Sequence, residues 1–164
     1  MFTVKHLIIL AICLILFIVG LLFINKINLK QAFKIMLYIG IVSEVIKVFY
    51  YIITNEAEFG GYLPKTDLPF HLCSIQILFV LFINLSKNEK VKKIIMSFMI
   101  PTCLVGGFFA LLIPTSSSIN GLWILTLQYF GYHLSIMLLA VKIMKNEEIK
   151  FDIKDYKNCL IIFK

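Results

Sequence analysis

A thiol at Cys73 and an imidazole at His133, on two different apolar segments of this 164-residue chain, are the groups best suited to forming a covalent bond and moving a proton. A thiol among apolar side chains is inert unless a helix N-terminus or an adjacent imidazole stabilises its thiolate. Cys73 falls within the first turns of its segment, in "TDLPFHLCSIQ", Thr66 to Gln76, and would draw on both. Such a pair suits acyl transfer through a thioester, with His133 as general base and then general acid. Gln76, Tyr129 or Lys47 would orient the histidine or stabilise an oxyanion. His71 is nearer in sequence but badly placed. At about 100° per residue it points roughly 160° away from Cys73, whereas Gln76 lies about 60° from Cys73, on the same face.

The elements that must position these groups follow from composition. Hydrophobic residues make up 60% of the chain, mean hydropathy is +0.95 and charged residues are 15%, against about a quarter in soluble domains. Apolar runs long enough to cross a ~30 Å hydrocarbon core at ~1.5 Å per residue cover 6–24, 33–53, 68–85, 94–113 and 122–144. The fold class is therefore all-α, a polytopic transmembrane helix bundle of five spans in one membrane domain, residues 1–144. The first run is longer than a secretory signal core. Asn25-Lys26 follows it rather than a small-residue cleavage site, so it reads as a retained helix.

The net charge of +7 does not point to nucleic acid, because the lysines are spread over alternate connections. Lys26, Lys30 and Lys34 mark the first connection, and Lys87, Lys90, Lys92 and Lys93 the third. Six lysines fall between Lys142 and Lys164. The second connection carries Lys65 against Glu56, Glu58 and Asp67, and the fourth is uncharged. By the positive-inside rule this places the N-terminus outside and the basic tail, 145–164, in the cytoplasm of a cell membrane. Lys5 is the mild discord. Phe49, Tyr50, Tyr51, Tyr62 and Trp123 cluster at the outer ends of spans, where aromatic rings favour the headgroup region.

Local signals refine the segments. The outer connection holds Gly60, Gly61 and Pro64, Asp67 stands at an N-cap position, and Pro69 falls in the first helical turn. Pro101 and Gly106-Gly107 in the fourth span predict a kinked helix in close contact with a neighbour. "NEEIKFDIKDYK" is polar, and the short apolar run in "NCLIIFK" reads as the start of a truncated sixth helix. Cys13, Cys73, Cys103 and Cys159 lie in separate segments without metal-ligand spacing, so neither a disulfide framework nor a metal site nor another cofactor is indicated. Cys13 and Cys103 read as small apolar core residues.

An ionisable side chain at mid-membrane depth costs roughly 2.5–3.5 kcal/mol on insertion scales and needs a reason. Glu44 and Lys47 form an i,i+3 pair that neutralises itself; alternatively they join His133 in a proton-linked or solute-binding site, as in a small-solute transporter or membrane sensor. His133, Tyr129 and Thr126 form one polar stripe, which would serve equally as hydrogen-bonding glue between helices.

"LPFHLCSIQILF", with "SEVIKVF" before it and "GGFFALLIPT" and "QYFGYHLSIMLL" after it, resembles the YwaF / transmembrane protein 164 family of integral membrane proteins. The resemblance runs from about Glu44 to Met144, and its most specific element is Leu-Pro-x-His-Leu-Cys at Leu68 to Cys73. It implies a phospholipid acyltransferase with Cys73 as nucleophile, His133 as its partner and His71 as a motif residue. The partner would be a membrane lipid supplying an acyl chain. Family members usually extend further, with more spans. The Arg-free, Lys- and Ile-rich composition is that of an AT-rich bacterial genome.

Overall fold

Three of the helix starts, those of the first, second and fourth long apolar segments, are set by polar side chains bonded to free backbone amides. In the computed structural model, which describes residues 3–54, 72–146 and Lys157, Thr3 caps α1 (Val4–Phe23) by accepting from the His6 amide at 3.3 Å. A 3-10 turn, Ile24–Lys26, leads to α2 (Leu29–Thr54). There Asn28 and Gln31 form a reciprocal capping box: the Gln31 amide donates to Asn28 Oδ1 at 2.8 Å and the Asn28 amide to Gln31 Oε1 at 3.3 Å. Asn88 likewise opens α4 (Glu89–Leu112), accepting from the amides of Lys90 and Val91. Between them lies α3 (Leu72–Leu85), and after α4 come a short α5 (Ser116–Asn120) and α6 (Trp123–Met144).

Among the described residues there is no strand, and four helices are long and apolar enough to cross a membrane: the first with its 3-10 turn, then α2, α4 and α6. The third expected span, 68–85, corresponds to the shorter apolar α3, described from Leu72 onward. The Asp67 cap, Pro69, His71, Cys159 and the 147–164 tail, apart from Lys157, lie outside the described residues.

Successive helices alternate in direction. Asn84 Nδ2 donates to the Phe33 carbonyl at 3.3 Å and Ile77 meets Gly40, so α2 and α3 are antiparallel. The pairs Gln76–Thr102 and Phe79–Phe98 set α3 against α4 in the same sense. Tyr129 reaches the Ala110 carbonyl and Gln128 reaches Ser43, which makes α6 antiparallel to both α4 and α2. Packing against α1 is parallel, with Lys5 over the Trp123 ring and Gly20 against Leu138. This alternation gathers Lys26, Lys30, Lys34, Lys87, Lys90 and Lys142 at one end, as the charge pattern predicts. Lys5 at the opposite end donates to the Ile119 carbonyl and lies 4.8 Å from the Trp123 ring centroid, so the discordant charge is held by the protein.

The interior is centred on α4 and α6, where Met99, Cys103, Ile136, Ala140 and Ile143 are fully buried. α1 is peripheral and presents Leu7, Ile8, Leu14, Ile15 and Leu22 outward, which suits a lipid-facing helix. Gly107 answers the expectation of close contact: a Cβ there would stand 2.5 Å from Met137 Cγ and 3.2 Å from the His133 carbonyl oxygen. α4 continues unbroken through Pro101. One expectation is corrected. Phe49 and Trp123 are exposed at the aromatic end, but Tyr50 and Tyr51 are buried, edge to face at 5.6 Å, against Leu125. Neighbouring residues on a helix diverge by about 100°, so three in a row cannot all face lipid.

Candidate functional site

α2, α3, α4 and α6 bring polar side chains to one level of the bundle. Four residues back from Ile77 on α3 is Cys73, and four forward from Gly40 on α2 is Glu44, so the antiparallel register sets these two side by side in depth. The Tyr132 hydroxyl of α6 donates a 2.6 Å hydrogen bond to the Cys73 carbonyl. Cys13 and Cys103 are buried free thiols, as small core residues would be, whereas the free thiol of Cys73 is only half-buried.

The groups assigned to support are already engaged. Gln76 is buried and its Nε2 donates to Thr102 Oγ1 at 3.1 Å, while that hydroxyl donates in turn to the Phe98 carbonyl at 2.8 Å. Lys47 closes on Glu44 at 2.8 Å, the self-neutralising i,i+3 pair. Tyr129 Oη donates to the Ala110 carbonyl at 3.1 Å, tying α6 to α4. His133 is buried, with its ring 4.4 Å from that of Tyr129 and its Nδ1 2.7 Å from the Tyr129 carbonyl. A carbonyl oxygen only accepts, so Nδ1 bears the proton of the neutral ring and Nε2 keeps its lone pair. Thr126 completes the stripe on α6; its buried hydroxyl has no hydrogen-bond partner among the described residues.

Cys73 and His133 stand at similar depth, since Gln76 pairs with Thr102 and His133 backs onto Gly107 on the same helix α4. No hydrogen bond joins them among the described residues; the link from α6 to Cys73 is made by Tyr132. The two adjacent α6 residues diverge by about 100°, so Tyr132 faces α3 while the His133 ring lies over Tyr129. Tyr132 and Thr102 were not singled out from the sequence. Tyr132 sits three residues from Tyr129 and beside His133, and that spacing was the available signal. His6, also unassigned, uses Nε2 to donate to the Leu111 carbonyl at 3.0 Å and ties α1 to α4.

A sequence model of the TMEM164 family matches residues 1–164. The chain belongs to the TMEM164 family. Family membership and several helices long and apolar enough to cross a membrane make it a multi-pass membrane protein. No curated protein and no solved structure matches it.

Proposed function

We propose that this TMEM164-family chain carries out Cys–His acyl transfer on membrane lipids, as an acyltransferase or, with water as acceptor, a hydrolase. The observation that carries the reading is a half-buried Cys73 thiol at mid-bundle, bonded through its carbonyl to the residue next to a histidine whose Nε2 lone pair is uncommitted to Tyr129. His133 Nε2 takes the thiol proton as Cys73 sulfur attacks the ester carbonyl of a lipid. The ester C–O bond then breaks, the lysolipid oxygen takes that proton, and a thioester remains. In the second half His133 deprotonates an alcohol or water, whose oxygen attacks the thioester and releases the Cys73 thiolate for reprotonation. Tyr132 serves the oxyanion by turning its single O–H from the Cys73 carbonyl, where it donates in the resting protein, to the substrate oxygen; Gln76, Tyr129 and Lys47 position their neighbours. Sulfur and Nε2 come together when substrate binds, as catalytic hydrogen bonds often tighten only in the substrate complex.

The proposed topology has five spans within residues 1–144, α3 included, with the Lys5 end outside and 145–164 in the cytoplasm. It rests on the gathering of lysines at one end of the bundle. The transport or sensing alternative uses Glu44, Lys47 and His133, but the closed Glu44–Lys47 pair leaves it no free carboxylate. Incubating the purified protein with an acyl-labelled phospholipid yields a hydroxylamine-sensitive adduct on Cys73. The same adduct in Cys73→Ser overturns the proposal.

A further inference from the structure

Away from Cys73, at the lysine-rich end of the bundle, a cavity of about 210 Å³ opens between the end of α1, the start of α2 and the second half of α6. Its walls are apolar, with Phe23, Ala32, Ile35, Met36 and Leu138 among them, and Lys142 stands at its edge. Apolar cavities of ~150 Å³ already accommodate a small hydrocarbon such as benzene, so this one has room for a stretch of acyl chain. Phe23 and Ile35 are about half exposed on the face that suits bilayer lipid, which gives a chain a lateral way in.

We propose that this cavity binds an anionic phospholipid, one acyl chain lying among the apolar walls and the phosphate paired with Lys142. The Lys142 ammonium makes no ion pair or hydrogen bond among the described residues, unlike Lys47 and Lys92, which close on carboxylates. Lys26, Lys30 and Lys34 lie at the same end, on the elements that border the cavity, so the field there favours a negative headgroup. A neutral lipid would fill the apolar part and leave Lys142 without a counter-charge. This site is separate from the proposed acyl-transfer centre and does not depend on it.

Native mass spectrometry of the full chain, titrated with phosphatidylglycerol and in parallel with phosphatidylcholine, tests the proposal. Phosphatidylglycerol binds at least fivefold more tightly to the unaltered protein. Lys142→Gln removes that preference, Ile35→Trp, which blocks the lateral opening from an exposed position, lowers retention of both lipids at least fivefold, and Lys90→Gln, at the same end but away from the cavity, changes neither. Equal binding of the two lipids overturns the proposal, as does a loss in Lys90→Gln equal to that in Lys142→Gln, which would mean unlocalised surface attraction. Retention of no lipid by the unaltered protein, as when the 158–163 segment of the chain fills the cavity, overturns it too.

Discussion

Tyr132 on α6 and Cys73 on α3 are joined side chain to main chain: the phenolic hydroxyl donates to the Cys73 carbonyl at 2.6 Å. The bond fixes the start of the described part of α3 against the central helix, next to the one described cysteine that is not buried. With its O–H turned from the Cys73 carbonyl to the oxyanion in the transition state, Tyr132 is a catalytic donor, and Tyr132→Phe slows acylation of Cys73 by about 10²–10³-fold. A phenyl ring keeps the packing but loses the hydrogen bond to the Cys73 carbonyl, so stability in detergent falls by about 1 kcal/mol. An acylation rate within threefold of the unaltered protein removes Tyr132 from the mechanism.

His133 is a base in this scheme and Tyr129 is its support. His133→Ala lowers the acylation rate by about 10²–10⁴-fold. Tyr129→Phe loses the hydrogen bond to Ala110 but keeps the ring under the imidazole, so it costs about 1 kcal/mol of stability and a smaller part of the rate. Single-turnover labelling of Cys73 in the two variants measures the difference. Equal losses would make the whole stripe a packing element.

Gly107 allows α4 to lie against α6 at His133, and Met137 occupies the space a side chain would need. Gly107→Ala therefore destabilises by about 1–3 kcal/mol through overpacking. Because the nearest contact is Met137 Cγ, Met137→Ala in the same chain removes the main clash and leaves the 3.2 Å approach to the His133 carbonyl oxygen. A double-mutant cycle on thermal unfolding shows a coupling of at least about 0.5 kcal/mol in the compensating sense, and an additive result rejects this account.

Glu44 and Lys47 neutralise each other within a membrane-crossing helix. Removing one charge leaves the other exposed to an apolar medium, so Glu44→Gln or Lys47→Met alone is more destabilising than the two together. Thermal unfolding of the three variants gives the order. Solute or proton flux in vesicles that needs Glu44 and survives Cys73→Ser would restore the transport reading.

The proposed orientation rests on the lysines. A cysteine introduced at Lys87 is labelled by a membrane-impermeant maleimide only after the cells are opened, and one at Asn120 is labelled in intact cells. The reverse pattern inverts the proposed topology.

Composition and charge spacing were enough to read a helical membrane bundle with alternating connections, because hydropathy and lysine placement are local properties that need no partner. The Glu44–Lys47 pair was legible for the same reason, as it forms within one helix. The stripe of Thr126, Tyr129 and His133 followed from helical periodicity. Only the packing of helices decided that Tyr132, rather than His133, makes the bond to Cys73, that Gln76 is spent on Thr102, and that Tyr50 and Tyr51 turn inward. Those outcomes depend on the rotation and register of one helix against another. Rotation about the helix axis is set by side chains such as Gly107 and Met137 meeting across an interface, and periodicity within a single segment carries no record of the partner it will meet.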